Sequence, residues 1–474
     1  MTKWIVDDSN NGDFRTIAEA IAAAEKGDEI IVTGGDDNIH NEADIVINKE
    51  LVIKSDSNGA TIDAQGVDRV FLIDDGDDTT QLKVELKDLI ITGGNAEDLG
   101  GGILNSEKLT VKNTIVTGNT AQLRGGGIYN LDGELKVKDS VISENISVTA
   151  SGGGISNTGK LKVENSIIEN NSASAGGGIA NTGEATIKKS TISGHTSSVG
   201  AGIFNYEGEL KVKESIISNN NANVEGGGVF NYYGELKVEK STITGNNANA
   251  DGGGILDVYG TTEVKKSTIT GNTSGDDGGA IFVYGGTLEV DQTLVSGNYG
   301  YYGAITSQFS DTTITNSEIT NNEGFIGGGI TNFASNSLLL SKNDFDNNTS
   351  EIGNSDVLDL VTFTEGTPDD DNLVGTSGNN MLIGLEGNDT IDGQGGDDII
   401  FGDAGDDIFV VAANRGMDVV VDFTIGEDLI GLSGGLDFND LTFSDNTINS
   451  NGETLVVLSG IDTATLTSDD FTAI

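Results

Sequence analysis

The stretch Gly245-Asn-Asn-Ala-Asn-Ala-Asp-Gly-Gly-Gly-Ile255 decides the fold, because it is one copy of a text that recurs along half the chain. Its Gly-Gly-Gly-Ile block, or a near variant, begins at Gly100, Gly125, Gly152, Gly176, Gly200, Gly226 and Gly252, and further copies end at Ile281, Ile305 and Ile330. The spacing is 24 to 27 residues throughout. Between blocks a Ser or Thr recurs from Thr114 to Ser317, with Ile or Val two residues after it and three residues before it. Ten units at a fixed period mean a solenoid.

Residue type says which solenoid. The apolar positions alternate with polar ones and are mostly Ile and Val, a pattern of strands rather than helices. Each unit makes one coil of short strands joined by Gly and Asn turns, and stacked coils pair in parallel about 4.8 Å apart. Equivalent residues superpose, so the core is a column of Ile and Val. Two Asn columns support this register. One runs from Asn119 to Asn322 with His195 in it, and the other from Asn105 to Asn231, followed by Asp257. Asn tolerates left-handed turns, and stacked amides bond one another. The repeats resemble the right-handed parallel β-helix of the pectin-lyase-like superfamily. The resemblance speaks for fold and little for activity.

Composition narrows the rest. The chain has 474 residues, 69 Gly, one Pro and no Cys, which excludes collagen, a disulfide framework and Cys-ligated zinc. Its net charge is −50, and from Glu351 onward there are 26 acids against the single base Arg415. Nucleic acid and anionic membranes are poor partners for such a surface; cations are the natural ones. Met1 to Asp8 lack the features of a secretory signal peptide, and no apolar run is long enough to span a bilayer.

At the N-terminus, residues 4–6 and 28–33 read as strands and Asp13–Gly27 as an amphipathic helix that caps the open solenoid end. The repeats carry a stripe of Lys112, Lys138, Lys188, Lys189, Lys213, Lys240, Lys265 and Lys266 interleaved with Glu164, Glu214 and Glu239, expected to be a solvated face with charge pairing between coils.

From Gly366 to Val410 the period changes to nine for five units, with an apolar eighth position and Asp371, Asn380, Asp389, Asp398 and Asp407 at the sixth. This resembles the Gly-Gly-x-Gly-x-Asp repeats of the RTX calcium-binding family and its parallel β-roll. The resemblance implies Ca2+ as cofactor, with Asp371, Gly384, Gly387, Asp389, Gly393, Gly396, Asp398, Gly402, Gly405 and Asp407 at the metal. It also implies Asp371, Asp389 and Asp407 on one side of the roll, Asn380 and Asp398 on the other. Calcium wants six or more oxygens, which Gly turns and Asp supply. The first two units depart from the pattern, through Asn380 and through Asp369 in place of Gly. Residues 411–474 resemble the segment that follows such repeats in type I secretion substrates, implying a cap and a C-terminal export signal.

No Ser-His-Asp order or metal-binding His pair appears, and nothing around Arg124 marks it as a lyase base. His195 reads as a turn substitute. An acidic column of Glu225, Asp251 and Asp277 falls on three successive coils, as a catalytic pair, an ion site or a solvated turn would. An outward aromatic strip is expected from Phe204, Phe230 and Phe282, with Tyr206, Tyr232, Tyr284 and Phe333 two residues on.

The expected fold class is all-β: a right-handed parallel β-helix solenoid with an N-terminal capping helix, followed by a calcium-binding parallel β-roll. Expected boundaries are 1–94 for the cap and irregular first coils, 95–348 for the regular helix, 349–365 for a linker, 366–410 for the roll and 411–474 for the C-terminal cap and signal region. The expected function is a secreted, calcium-binding adhesin or interaction protein of the cell surface or extracellular matrix, with calcium ions and an extracellular polysaccharide or cell surface as partners. A polysaccharide lyase, hydrolase or epimerase is the alternative.

Overall fold

The structure is a computed structural model that describes residues 2–9, 11–33, 39–56, 59–77, 81–352 and 356–474. Alternation in sequence becomes alternation in burial. In Lys108–Lys112, Leu109 and Val111 point into the core while Lys108, Thr110 and Lys112 do not. The next coil repeats this in register, Leu135 on Leu109 and Val137 on Val111. Among the described residues, three long parallel sheets result. One has 14 strands, from Lys3–Val6 to Ser337–Ser341; two have 13, from Ile45–Ile47 to Val357–Leu360 and from Ile39–Asn41 to Asp344–Asp346. They enclose one continuous apolar core from Val6 to Ile330.

The cap helix is shorter than expected, Ile17–Ala23. Thr16 takes the N-cap, accepting from the Glu19 N–H, and Ala24 is already extended, which ends the helix before Gly27. Ile17, Ala20 and Ile21 face the core. The Glu42 carboxylate accepts the free N–H groups of Ile17 (2.6 Å) and Ala18 (3.2 Å), tying the helix to the first coils.

Both Asn columns are amide ladders. Asn130 donates to Asn157 and Asn157 to Asn181, each at 2.7 Å; Asn246 donates to Asn272 at 2.9 Å. One expectation is corrected: the ladder residues are not left-handed. In the ladder from Asn119 to Asn322 the preceding residues Asn170, Asn219 and Asn321 are, because the turn bends one residue earlier, and in the other ladder Asp132, Glu207 and Tyr233, two residues later, are. Asp257 ends its ladder for a chemical reason. It accepts from Asn231 (2.7 Å), the Gly260 N–H (2.9 Å) and the Thr262 hydroxyl. Its partner in the next coil is Val283, which offers no acceptor to an amide.

The Gly blocks answer a shortage of space. A Cβ on Gly227 would stand 2.5 Å from the Gly253 carbonyl oxygen and 2.6 Å from that of Asn247. The Lys stripe is the charge-paired face expected of it, with Lys213–Glu239 at 2.8 Å and Lys265–Glu289 at 3.0 Å between coils. These pairs are exposed and contribute at most about 1 kcal/mol each.

Expected as a linker, 349–365 carries the strands Thr349–Ser350, Val357–Leu360 and Thr362–Glu365, and its residues 353–355 lie outside the described residues. Val357–Leu360 is the last strand of a solenoid sheet, and Thr362–Glu365 opens the first sheet of the roll. Leu358, Leu360, Met381, Ile399 and Val419 share an apolar cluster with Ile326, Phe333 and Ile352, so roll and solenoid are joined by a packed junction. The roll also runs past residue 410. Asp418–Val420 and Leu429–Leu432 add a further strand to each of its two sheets, and Glu453–Leu458 and Phe471–Ala473 follow them.

Candidate functional site

The nonapeptides build two stacked columns of carboxylates. The Asp371 N–H donates to Asp389 Oδ1 (2.7 Å) and the Asp389 N–H to Asp407 Oδ1 (2.8 Å). On the other side, Asn380 donates to Asp398 Oδ1 (2.7 Å) and Asp398 to Asp418 Oδ1 (3.2 Å). One oxygen of each acid is thereby held by backbone. The other is not: Oδ2 of Asp389, Asp398 and Asp407 is buried with no hydrogen-bond partner. Each faces its own turn, where a Cβ on Gly384, Gly393 or Gly402 would collide with it. Gly387, Gly396 and Gly405 hold left-handed backbone in the same turns.

Orphaned buried carboxylate oxygens are costly unless a cation neutralises them, and a hard oxygen set in Gly turns suits Ca2+. Electrostatics agrees. Burial raises Asp389 above its ordinary pKa and raises Asp407 to about 6. Burial also raises Asp398 and Asp418, and the Asp418 charge pushes Asp398 up further. When bound, calcium supplies the positive charge that lets these acids ionise in place.

The columns do not stop where the nonapeptides do. The Asp407 N–H donates to Asp428 Oδ1 (3.0 Å), so Asp418 and Asp428 are the next members. Sequence reasoning missed them because insertions stretch the spacing from 18 to 20 and 21 residues. The local text Asp-Val-Val and Asp-Leu-Ile, like Asp398-Ile-Ile, was the available signal.

A second cluster lies on the solenoid. Glu225, Asp251 and Asp277 do fall in one column: the Gly226 N–H bonds the Asp251 carbonyl and the Gly252 N–H that of Asp277, both at 2.8 Å. Val199 precedes Glu225 in the same column and packs against the rings, so the acids border the aromatic strip. Burial raises all three acids, most strongly Asp277, which Asp251 and Asp276 push further. Asp277 Oδ1 has no partner.

The aromatic strip differs from expectation. Phe230 and Phe282 point away from the core column yet are only 7% and 5% exposed, covered by Tyr232, Val258 and Tyr284. Phe333 belongs to the roll junction. Within the strip the exposed rings are Tyr206 (39%) and three that the reading of strand positions missed: Tyr233 (51%), Tyr259 (45%) and Phe309 (45%). These three stand at turns, outside the period-two pattern, and all are left-handed.

His195 is an internal part. Its Nδ1 accepts the Asn171 N–H (3.1 Å) and its Nε2 faces the Ile168 carbonyl (3.0 Å), so the ring is neutral with the proton on Nε2. Burial pushes its pKa down to about 4. The unfolded chain binds a proton near pH 6.5 that the folded ring refuses until about pH 4. Stability is therefore intact above pH 6.5 and falls as pH drops through that window, by about 3 kcal/mol. Chemical unfolding near pH 7 and near pH 4.5 checks this. His195→Asn should flatten that part of the pH dependence, and an unchanged slope would refute it.

Among the described residues, Asp74, Asp75 and Glu107 also gather carboxylate oxygens within 4.8 Å of one another. Glu107 is already engaged by the N–H groups of Leu82 (2.7 Å) and Asp75 (3.4 Å).

Fold and site define a calcium-binding β-solenoid. Residues 102–274 match the family model of the right-handed β-helix region, and residues 365–396 and 374–409 match that of the RTX calcium-binding nonapeptide repeat. The chain thus carries a right-handed β-helix followed by RTX repeats. No curated protein matches it. Among solved structures, the A-module of the mannuronan C-5 epimerase AlgE6 of Azotobacter vinelandii is similar at 13% identity, over 73% of this chain and 92% of that one, with a TM-score of 0.40. The Yersinia enterocolitica family 28 exopolygalacturonase gives 9%, 73%, 78% and 0.31. PfbA, a surface adhesin of Streptococcus pneumoniae, gives 12%, 72%, 87% and 0.28. Similarity at this level carries nothing about activity or ligand.

Proposed function

We propose that this protein works outside the cell as a calcium-stabilised solenoid that holds a glycan of a cell surface or matrix along its aromatic strip, as an adhesin does. One observation carries the reading. Tyr206, Tyr232, Tyr233, Tyr259, Tyr284 and Phe309 form an unbroken run of ring contacts with centroids 4.6 to 5.8 Å apart. Tyr233 (φ 53°), Tyr259 (φ 56°) and Phe309 (φ 52°) hold left-handed backbone that bulky residues avoid, at about 1–2 kcal/mol each. Rings kept exposed against their local preference point to use, and their apolar faces suit the apolar faces of sugar rings. The acids beside them favour a neutral glycan over a polyanion. Calcium sites that need abundant ion fit an extracellular setting, and residues 411–474 are read as including a C-terminal, type I export signal.

Binding to a glycan panel tests the strip. Tyr233→Gly with Tyr259→Gly should weaken binding by roughly a hundredfold, while relief of the left-handed strain, which only glycine gives, offsets the lost ring contacts in unfolding stability. Unaltered binding would remove the strip from the function.

A second reading rests on Asp277, whose Oδ1 is buried without a hydrogen-bond partner among the described residues and whose N–H bonds Asp251 Oδ1 at 3.1 Å. Burial raises Asp277 more strongly than Asp251, the ordering that glycoside hydrolysis uses when one carboxyl donates a proton beside an ionised one. Turnover of a bound glycan that disappears in Asp277→Asn would favour this enzyme over the adhesin.

A further inference from the structure

Two kinds of turn open the roll. In the turns beginning at Gly384, Gly393 and Gly402, the second residue (Leu385, Gln394, Asp403) and the fourth (Gly387, Gly396, Gly405) are both left-handed. In the turns beginning at Gly366 and Gly375, the corresponding Thr367, Asp369, Thr376 and Gly378 all lie outside that region. The second residue of both is Thr, and it changes the hydrogen bonding.

Thr367 donates its N–H (2.6 Å) and its hydroxyl (2.9 Å) to Asp371 Oδ2, the oxygen that the later turns leave orphaned. The Thr376 N–H donates to Asn380 Oδ1. The Asn380 amide then donates to the Gly378 carbonyl and to Thr376 Oγ1 (3.0 Å). A donor thus stands where a cation would need an acceptor, and the turn's carbonyl is already engaged. Neither turn has an unsatisfied charge or oxygen of the kind found at Asp389, Asp398 and Asp407.

We infer that the first coil of the roll, 362–383, is a calcium-independent adaptor, closed by Thr367–Asp371 and Thr376–Asn380, on which the calcium-dependent turns from Gly384 onward build. Its other support is the solenoid. Val357–Leu360 pairs with Ile330–Phe333, the Val361 N–H reaches the Asn379 carbonyl (2.6 Å), and Thr362–Glu365 pairs with Asn380–Ile383. Met381 sits fully buried in the apolar junction. The coil therefore offers a finished strand edge to the next turns before any ion binds. Edge and apolar face together lower the entropy cost of ordering the following coil. Folding with calcium then proceeds outward from the solenoid.

Hydrogen exchange read by mass spectrometry on the full chain, first in calcium and then in chelator, tests the division. Amides of 362–383 should keep their protection, while those of 384–432 exchange at least about a hundredfold faster without calcium. Equal loss in both segments would overturn the inference. Thr376→Gly with Asn380→Asp rebuilds the second turn in the image of the later ones. It should make 375–383 sensitive to chelator and raise the calcium bound per chain, counted by native mass spectrometry, by one. A double variant whose first coil stays protected in chelator and whose calcium count is unchanged would equally defeat it.

Discussion

Removing calcium from the full chain should unfold residues 384–432 and leave the solenoid standing. Three buried Oδ2 atoms, on Asp389, Asp398 and Asp407, have no hydrogen-bond partner among the described residues, and each lies among further acids. At neutral pH the metal-free roll must either bury those charges or hold protons above their usual range, and both options are unfavourable. An ion at a hundred times its Kd contributes about 2.7 kcal/mol per site, so three such turns gain roughly 8 kcal/mol, as much as a small domain's whole stability. Circular dichroism should show two thermal transitions in calcium, only the first of which moves with calcium concentration. Asp389→Asn or Asp407→Asn should shift that transition to higher calcium. A roll whose exchange protection is the same in chelator would sink the assignment of these oxygens to a cation.

Gly227→Ala is expected to be among the most damaging single changes in the solenoid, at about 4 kcal/mol or more. The atoms its methyl group meets are backbone carbonyls of the next coil, at 2.5 and 2.6 Å. Those oxygens belong to the column of parallel hydrogen bonds that stacks the coils, of which Gly227 N–H to the Gly252 carbonyl at 3.1 Å is one. Relief requires the coils to part. Gly271→Ala is the control: its nearest neighbour is 4.0 Å away, so only the left-handed backbone at φ 62° is penalised, at about 1–2 kcal/mol. Denaturant unfolding of the two variants should separate them clearly. Equal costs would mean that space is not what the Gly blocks provide.

The calcium columns were legible as far as the period held. Asp389, Asp398 and Asp407 repeat every nine residues, so their alignment follows from counting. Asp418 and Asp428 were hidden by insertions of two and three residues that change the spacing but not the stacking. The same limit applied to the aromatic strip. Tyr206 and Tyr232 follow the strand period, but Tyr233, Tyr259 and Phe309 occupy turns, where alternation says nothing about direction.

By itself, the sequence determined that this chain is a rod of parallel coils with an acidic, cation-seeking end. A repeated residue in a stack has its own copies as neighbours, so periodicity alone dictates which side chains meet. Only the tertiary structure decided what covers each column from the side. It buried Phe230 while exposing Tyr233, and it joined the roll to the solenoid through Met381 and Leu360. It also showed that Thr367 and Thr376 close two turns with hydrogen bonds where the later turns leave a buried carboxylate oxygen unpartnered. Lateral cover and hydrogen-bond closure depend on contacts between unlike residues, and those no repeat can announce.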